Sequence, residues 1–426
     1  MVSYIMASVL REVHGPRLTF GGQSPVGWLP PVYLRYLSAL NDRRRAHMRG
    51  FLLLAILACQ PSASLAQNPD SLIELQRRAT ADSNDPSAHY NLAMAEWDRK
   101  DWDAAEASLR TAVRIAPAYA DAYLALSALV SARGEKHWKQ IARERGDSVV
   151  RLALRESFAF YRRAFLLNPL VNLRPLGRYS GPDLRIAPRW FQEFKKGVTN
   201  LYRGDYAEAY RQLDRAVSES ERVGVTPDVL LWHRALAAAH VDSFDVAAGD
   251  FRELTTRAAT TEQQHPDRVS PLLANDYRFF LSTMLYLGGY FNEAVAGYRQ
   301  VLENDLSLYV AHVELARMYE ASDMWDEAIA ERRRALDANP DDPGLMVELA
   351  ATLLRRGHRD DALPLLGRAG ELNARDARVP YLLGEAAIEA GDDDEARRQL
   401  TRFLSIAPRG YTPQIASVRS QLEGLK

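Results

Sequence analysis

The sequence predicts an all-α protein, a solenoid of about eight helix-turn-helix repeats stacked side by side. The main observation is a period of 34 residues in the 426-residue chain, marked by Ala294, Ala328, Ala362 and Ala396. Around each alanine the apolar residues recur at the spacing of an amphipathic helix, and a second helical run precedes it. A fixed period of about 20–50 residues is typical of repeat architectures, in which each unit buries its apolar face against its neighbours.

The turn between the two helices of a repeat is the second observation. Gly289, Gly357 and Gly391 lie there, and Asp323 replaces glycine in one copy. The residue after a helix end often needs a positive φ, which glycine adopts without a steric penalty. The pattern therefore predicts two short helices joined by a tight turn in each unit.

The same pattern recurs near the N-terminus, where Leu92, Ala93 and Ala105 occupy the matching positions. Residues 309–340 and 377–408 follow it as well. This order of large and small residues resembles the tetratricopeptide repeat family. The resemblance implies a right-handed α-α superhelix, in which the first helix of each unit (helix A) lines the concave face. The second helix of each unit is called helix B here.

The repeats divide the chain into two sets. N-terminal repeats with a cap helix are expected over 69–171, C-terminal repeats over 190–410, and a capping helix over 411–426. The second unit carries about residues 135–150 as an extra stretch, which is expected to lengthen one or both of its helices. The predicted units cover residues 86–119, 120–171, 190–223, 228–261, 275–308, 309–342, 343–376 and 377–410.

A segment rich in proline and glycine, residues 172–189, separates the two sets of repeats. Its breakers are Pro175, Gly177, Gly181, Pro182 and Pro188. No helix is expected at this density of breakers. The segment is either a hinge between two sub-arrays or an ordered loop packed on the repeats. Long loops inside compact chains usually have a role, which favours the ordered loop.

An export signal is predicted at residues 48–66. Arginines precede an apolar run from Phe51 to Ala58, and a proline and small residues follow it, as in a secretory signal peptide. The run is too short to cross a bilayer, which needs about 20 apolar residues. Cleavage after Ala66 is one interpretation. The alternative is lipidation of Cys59, because the residues before it loosely resemble the lipobox of bacterial lipoproteins.

Since signal peptides begin a chain, Met48 is predicted to be the true start, and residues 1–47 a spurious or disordered leader. The expected location is outside the cytoplasm, in the periplasm or secreted. A membrane anchor is expected only through a lipid on Cys59.

Composition disfavours several classes of function. Lys and Arg total 54 and Asp and Glu total 55, so no basic excess favours nucleic acid. The single cysteine excludes an internal disulfide and a cysteine-rich zinc site. His233 and His240 lie seven residues apart with alanines between them, which favours packing over metal binding. No phosphate loop or nucleophile elbow occurs, so neither an enzyme nor a cofactor is predicted.

The predicted function is recognition of a protein or peptide partner of unknown identity. The family resemblance assigns the groove to helix A side chains of the first, fifth, sixth and eighth units. Aromatic residues, methionine and a few charges suit an extended peptide or a helix. The competing interpretation is that these side chains only fill space between units. The predicted groove residues are Tyr90, Met94, Trp97, Phe279, Thr283, Tyr286, Val313, Arg317, Glu320, Tyr381, Glu385 and Ile388.

The sequence thus predicts a non-enzymatic exported scaffold for protein–protein interaction. One alternative is an accessory or assembly factor of an envelope complex, such as polysaccharide export or outer-membrane machinery. The other is a protein that binds a small ligand, a sugar or a metal, through the groove and the loop at 170–189.

Overall fold

The computed structural model describes residues 72–145, 147–178, 189–224, 226–266, 270–408 and 411–425. The side chains of residues 133–154 and 177–178 lie outside this description. The described residues form eighteen α-helices and one short 3-10 helix, with no strand among them. The predicted all-α solenoid of paired helices is confirmed.

Sixteen of the helices, α2 to α17, pair into eight antiparallel units, the number predicted. Unit 1 consists of α2 and α3, and the pairs continue in chain order to unit 8, which consists of α16 and α17. Helix α1 precedes the units and α18 follows them. The helices are α1 (Leu72–Ala81), α2 (Pro86–Asp98), α3 (Trp102–Ile115), α4 (Ala120–Arg145), α5 (Asp147–Leu167), α6 (Arg189–Arg203), α7 (Tyr206–Arg222), α8 (Asp228–His240), α9 (Phe244–Gln264), α10 (Ala274–Leu287), α11 (Phe291–Asn304), α12 (Tyr309–Ala321), α13 (Trp325–Ala338), α14 (Pro343–Arg355), α15 (Arg359–Leu372), α16 (Arg378–Glu389), α17 (Asp393–Ile406) and α18 (Thr412–Gly424).

The same turn joins helix A to helix B in seven of the units, and the corresponding residue of unit 2, Gly146, lies outside the described residues. One residue of each turn has a positive φ, and the next N–H donates to the carbonyl five residues earlier, for example Tyr290 to Leu285 at 2.8 Å. This is the Schellman closure of a helix end. The prediction for Gly289, Gly357, Gly391 and Asp323 is confirmed, and Lys100, Gly204 and Asp242 were not predicted. The positive-φ residues of these seven turns are Lys100, Gly204, Asp242, Gly289, Asp323, Gly357 and Gly391.

Helices A and B approach closely where the sequence has a small residue. A Cβ added to Gly384 would lie 2.5 Å from Cδ2 of Leu400. One added to Gly197 would lie 2.6 Å from Cγ of Leu213. Both leucines are fully buried. A side chain at either glycine would therefore push the two helices of its unit apart.

The extra residues of unit 2 lengthen both of its helices, so α4 has 26 residues and α5 has 21. After α5 the chain runs through a packed connection. Leu170, Val171, Leu173 and Leu176 are buried, and a 3-10 helix spans Arg174–Arg178 where no helix was expected. This part contacts α4 and α6. The remainder of the predicted linker, residues 179–188, lies outside the described residues.

Unit 2 also packs against units that are distant in sequence. The Trp232 indole N–H of α8 donates to the Tyr161 hydroxyl of α5 at 3.0 Å. The Phe165 ring lies 4.9 Å from Trp232 and 6.4 Å from Phe280 of α10. Arg162 forms a salt bridge with the fully buried side chain of Asp276, also on α10, at 2.8 Å. The aromatic and ionic contacts between α5 and helices α8 and α10 are called the anchor below.

The first unit of the array also meets the last two. The Asn84 side-chain amide donates to the Arg375 carbonyl at 2.6 Å and to the Ile406 carbonyl at 3.3 Å. The Arg375 guanidinium donates to the Ser83 hydroxyl at 2.9 Å. Each unit connects to the next through a loop that joins its helix B to the following helix A, and these loops form one edge of the array. The residues of this contact and of the anchor lie toward that edge. The N-terminal sub-array (α1–α5) therefore lies edge to edge with the C-terminal sub-array (α6–α18).

Candidate protein-binding surface

Four of the predicted groove residues are buried between helices. Met94, Trp97, Phe279 and Thr283 are at most 9% exposed. The Phe279 ring lies 5.4 Å from Tyr298, and the Thr283 hydroxyl lies 2.8 Å from the Tyr298 hydroxyl. In this conformation these side chains fill space inside the array, which is the competing role considered for them from the sequence.

The capping helix covers the three predicted groove residues of unit 8. Gln421 of α18 donates to Glu385 at 2.8 Å, and Tyr381 and Ile388 pack in the apolar cluster that contains Val418. Burial raises the pKa of Glu385 above its ordinary value. The helix predicted to close the array thus occupies the face that a partner would need at this unit.

Like the half-buried groove residues of unit 8, five other predicted groove residues keep part of their surface in solvent: Tyr90, Tyr286, Val313, Arg317 and Glu320. Arg317 is the most open of them, with 47% of its side chain exposed, and it pairs with Glu314 at 2.7 Å. Three of the five lie on α12. The groove assignment remains a prediction for these five residues.

An aromatic strip crosses from the N-terminal sub-array to unit 6. The rings of Tyr90 and Tyr119 lie 5.5 Å apart. One turn further along α4, the ring of Tyr123 lies 6.0 Å from the Arg163 guanidinium. That guanidinium also lies 5.2 Å from the ring of Tyr309 on α12. We call these four tyrosines and the arginine the aromatic strip.

Only Tyr90 of the aromatic strip was predicted from the sequence. Tyr119 is buried, and the other members of the strip are half-buried. Arg163 lies on a helix B, which the groove prediction did not consider. Tyr309 belongs to the C-terminal sub-array and reaches the strip because the two sub-arrays lie edge to edge. The repeat period of the sequence does not indicate that arrangement, so the contact could not be predicted.

A charged layer lies between units 6 and 7. Arg332 of α13 pairs with Glu320 at 2.7 Å and with Glu348 of α14 at 3.0 Å. Glu320 lies 3.7 Å from Arg355, and Glu348 lies 3.6 Å from Arg378 of α16. The layer consists of these five residues, and Glu320 alone among them was a predicted site residue.

The protonation states of the layer follow from its geometry. Burial alone would raise the pKa of Glu320, but the nearby guanidinium charges outweigh burial and hold this pKa below its ordinary value. The same balance lowers the pKa of Glu348. Both carboxylates are therefore ionised at neutral pH. The layer brings oppositely charged side chains together in positions that are largely withdrawn from water.

The two histidines considered as a metal pair serve packing instead. His233 is buried, with one ring nitrogen 3.0 Å from the Tyr202 hydroxyl and the other 2.6 Å from the Val229 carbonyl. His240 stacks on Tyr206 with ring centroids 3.9 Å apart. Burial lowers the pKa of each histidine to about 4. Both rings are therefore neutral at pH 7.

The part of the chain that the structure describes contains no group of three or more His, Cys, Asp or Glu side chains able to hold a metal ion. Within the same residues, no helix has the length and apolarity needed to cross a membrane. Cys59 and the predicted signal at 48–66 lie outside the described residues.

Comparison with known families identifies repeats at both ends of the array. The tetratricopeptide repeat family matches residues 70–120, 321–379 and 353–422. These segments are tetratricopeptide repeats, as the sequence resemblance predicted. No curated protein matches the chain.

Several solved structures are similar to parts of the chain. A tetratricopeptide repeat protein from Parabacteroides merdae ATCC 43184 is 13% identical and covers 68% of this chain and 98% of its own, with a TM-score of 0.35. PilW, a widely conserved type IV pilus biogenesis factor, is 18% identical and covers 54% and 100%, with a TM-score of 0.36. MamA from Desulfovibrio magneticus RS-1 is 15% identical and covers 44% and 97%, with a TM-score of 0.34.

Proposed function

We propose that this protein is a non-enzymatic scaffold that binds a segment of a partner protein on the aromatic strip and the adjoining face of α12. The observation that carries the proposal is the strip itself. The rings of Tyr123 and Tyr309, from units 2 and 6, both lie against the guanidinium of Arg163, and Tyr90 of unit 1 packs against Tyr119 beside them.

The chemistry of the strip suits protein recognition. Tyrosine combines a large apolar ring with a polar end at a low entropic cost, and tyrosine and arginine are enriched among the residues that dominate binding energies. Packing already holds these side chains in place, so little additional ordering would oppose binding. Val313 and Arg317 extend the surface with one apolar and one charged side chain on α12.

The test is affinity capture with the full chain, followed by an equilibrium titration with the purified partner. Replacing both Tyr90 and Tyr309 by alanine is expected to weaken binding at least about tenfold, because buried aromatic contacts at interfaces typically contribute about 2 kcal/mol or more. The matched control is Tyr210→Ala, a half-buried tyrosine on helix B of unit 3, which should bind normally. Unchanged capture by the double variant would refute the proposed surface.

Export is a second part of the proposal and rests on the sequence of residues 48–66. The mass of the mature N-terminus, measured on protein recovered from the envelope fraction, distinguishes the two modes of export. Cleavage after Ala66 leaves Gln67 as the first residue, whereas lipidation leaves an acylated Cys59. An intact chain that begins at or before Met48 in the cytoplasmic fraction would contradict export.

A further inference from the structure

The lengthened unit 2 aside, Arg332 of the charged layer occupies a helix B position that is apolar or aromatic in every other unit. The residue of helix B that faces helix A is fully buried and apolar or aromatic in six units: Leu109, Leu213, Phe251, Tyr298, Leu366 and Leu400. In unit 6 the same position, 34 residues after Tyr298 and 34 before Leu366, holds Arg332. Arg332 is 4% exposed, so a charge lies where the fold otherwise places a core side chain.

The apolar core is interrupted at the same place. One buried cluster extends from Ala93 through both sub-arrays and ends at Ala328 on α13. The next begins at Ile329 on the same helix and continues through unit 7 to Val379 and Leu382 on α16 of unit 8. Arg332, Glu320 and Glu348 lie at the junction of units 6 and 7.

A junction built from ions differs physically from one built from apolar side chains. Removing charges from water costs several kcal/mol per ion, and their mutual attraction often only offsets that cost. Apolar contacts gain roughly 25 cal/mol for each Å² buried. The interface between units 6 and 7 is therefore expected to hold its two units together less firmly than the apolar interface between units 5 and 6. The arrangement of the two units remains specific, because each charged side chain lies beside a defined partner of opposite charge.

Units 7 and 8 also contact the N-terminal cap, and the described contacts there are all polar. Asn84 and Ser83 meet the Arg375 side chain and the carbonyls of Arg375 and Ile406 through hydrogen bonds that are mostly exposed. Exposed hydrogen bonds of this kind contribute about 1 kcal/mol or less each. The anchor, in contrast, consists of buried rings and a salt bridge to Asp276, so α5 stays attached to units 4 and 5.

We propose that units 7 and 8, with α18, form an arm that turns about the charged layer and is latched by the contact between residues 83–84 and Arg375. The structure is the latched form. Opening separates the C-terminal edge from the N-terminal cap and leaves the anchor intact. This motion does not depend on what the aromatic strip binds, so it can be tested separately from the proposed function.

The test measures distances by pulsed electron paramagnetic resonance on the full chain with Cys59→Ser. Spin labels are attached at the exposed positions Arg77 of α1 and Arg398 of α17 after substitution with cysteine. The reference protein is expected to show a short, latched distance and a minor longer one. A latch variant with Asn84→Ala and Arg375→Ala should raise the longer population at least threefold.

The hinge variant restores the apolar pattern with Glu320→Leu, Arg332→Leu and Arg355→Leu, so that no guanidinium loses its carboxylate, and Glu348 keeps Arg378 as its partner. It should abolish the longer population. The control pair, labels at Glu156 of α5 and Glu253 of α9 across the anchor, should give one narrow distance in all three proteins. A single short distance in both the reference and the latch variant would overturn the proposal. An unchanged distribution in the hinge variant would do the same.

Hydrogen exchange on the unmodified chain keeps the proposal testable if the hinge variant does not fold. Amides at the junction of α13 and α14 are expected to exchange at least tenfold faster than those at the junction of α11 and α12. The junction of α11 and α12 also joins a helix B to the next helix A, but its core is apolar. Equal protection at the two junctions would remove the basis for a hinge.

Discussion

At the scale of single residues, Asp121 shows how a half-buried carboxylate holds a connection in place. Its carboxylate, near the start of α4, accepts the backbone N–H of Asn172 at 3.2 Å and so ties the packed connection after α5 to unit 2. Burial raises the pKa of Asp121 to about 6, although the hydrogen bond from Asn172 partly opposes this. The ionised form is therefore less favourable in the folded chain than in the unfolded chain.

Replacing Asp121 by asparagine is expected to stabilise the protein at pH 7.5 by on the order of 1–2 kcal/mol. Asparagine keeps an oxygen acceptor for Asn172 but carries no charge to bury. Because the folded pKa is raised, the wild-type side chain contributes most to stability below the unfolded pKa. It loses that contribution as pH rises through about 6. The measurement is urea unfolding of both proteins at pH 7.5 and pH 4.

The gain from Asp121→Asn should shrink towards zero at pH 4, where the wild-type carboxyl is largely protonated. The neutral histidines His233 and His240 act in the opposite direction, since their lowered pKa values make the protein less stable as pH falls from 6.5 towards 4. Both proteins share this effect, so it cancels in the difference. A gain that stays constant with pH would mean that the charge of Asp121 is not its cause.

At the scale of elements, the turn between helices A and B often has a residue type that does not favour its backbone conformation. Seven turns have the same closure, yet three of them place Lys100, Asp242 or Asp323 at the positive φ. A residue with a Cβ costs roughly 1–2 kcal/mol in this conformation, whereas glycine adopts it freely. The exposed side chain of Lys100 makes this turn the clearest place to measure that cost.

Lys100→Gly is expected to raise the free energy of unfolding by about 1 kcal/mol, because the turn no longer forces a side chain into the left-handed region. The matched control is Gly391→Ala, where nothing lies within 4 Å of the added Cβ and only the φ of 71° opposes it. That variant should lose a similar amount. Chemical denaturation of the three proteins measures both values, and a stabilised Gly391→Ala protein would contradict the argument.

Glycine made some of these turns predictable, and its absence hid the others. Gly289, Gly357 and Gly391 mark their turns by composition, and the 34-residue period located Asp323. Lys100 carries no comparable signal, because lysine is common on exposed helix ends. The same period could have revealed Arg332 beforehand, since it places a charge at the position of Tyr298 and Leu366.

At the scale of the whole molecule, the anchor joins parts of the chain that the repeat pattern leaves apart. Phe165 is fully buried between Tyr161, Trp232 and Phe280. Phe165→Ala is expected to cost about 3–5 kcal/mol through the cavity it leaves. This loss of stability should affect both sub-arrays, so the rate of hydrogen exchange should rise in α5 and also in α8 and α10.

The matched control for the anchor is Phe403→Ala, which removes an equally buried ring from unit 8. Its effect on exchange should be confined to α16, α17 and α18, because Phe403 packs against Tyr381 and Tyr411. If Phe165→Ala changed exchange only within unit 2, the anchor would not couple the sub-arrays.

Periodicity explains how much of this molecule could be predicted. The eight units and the lengthened second unit follow from spacing, which reports contacts between neighbours. The edge-to-edge packing does not, because Arg162 and Asp276 are 114 residues apart and neither stands at a repeat position with a fixed partner. The groove assignment was limited for the same reason. Whether α18 covers Tyr381, or Arg163 lies beside Tyr309, depends on packing that no repeat consensus contains.

The long separation of the latch partners has a consequence for biosynthesis. Ile406 follows Asn84 by 322 residues. At a translation rate of about 5–20 residues per second, the first helices leave the ribosome roughly 15 to 60 seconds before that carbonyl exists. During this interval the nascent N-terminal edge has no intramolecular counterpart, so it is open to chaperones and proteases until the last repeat has emerged.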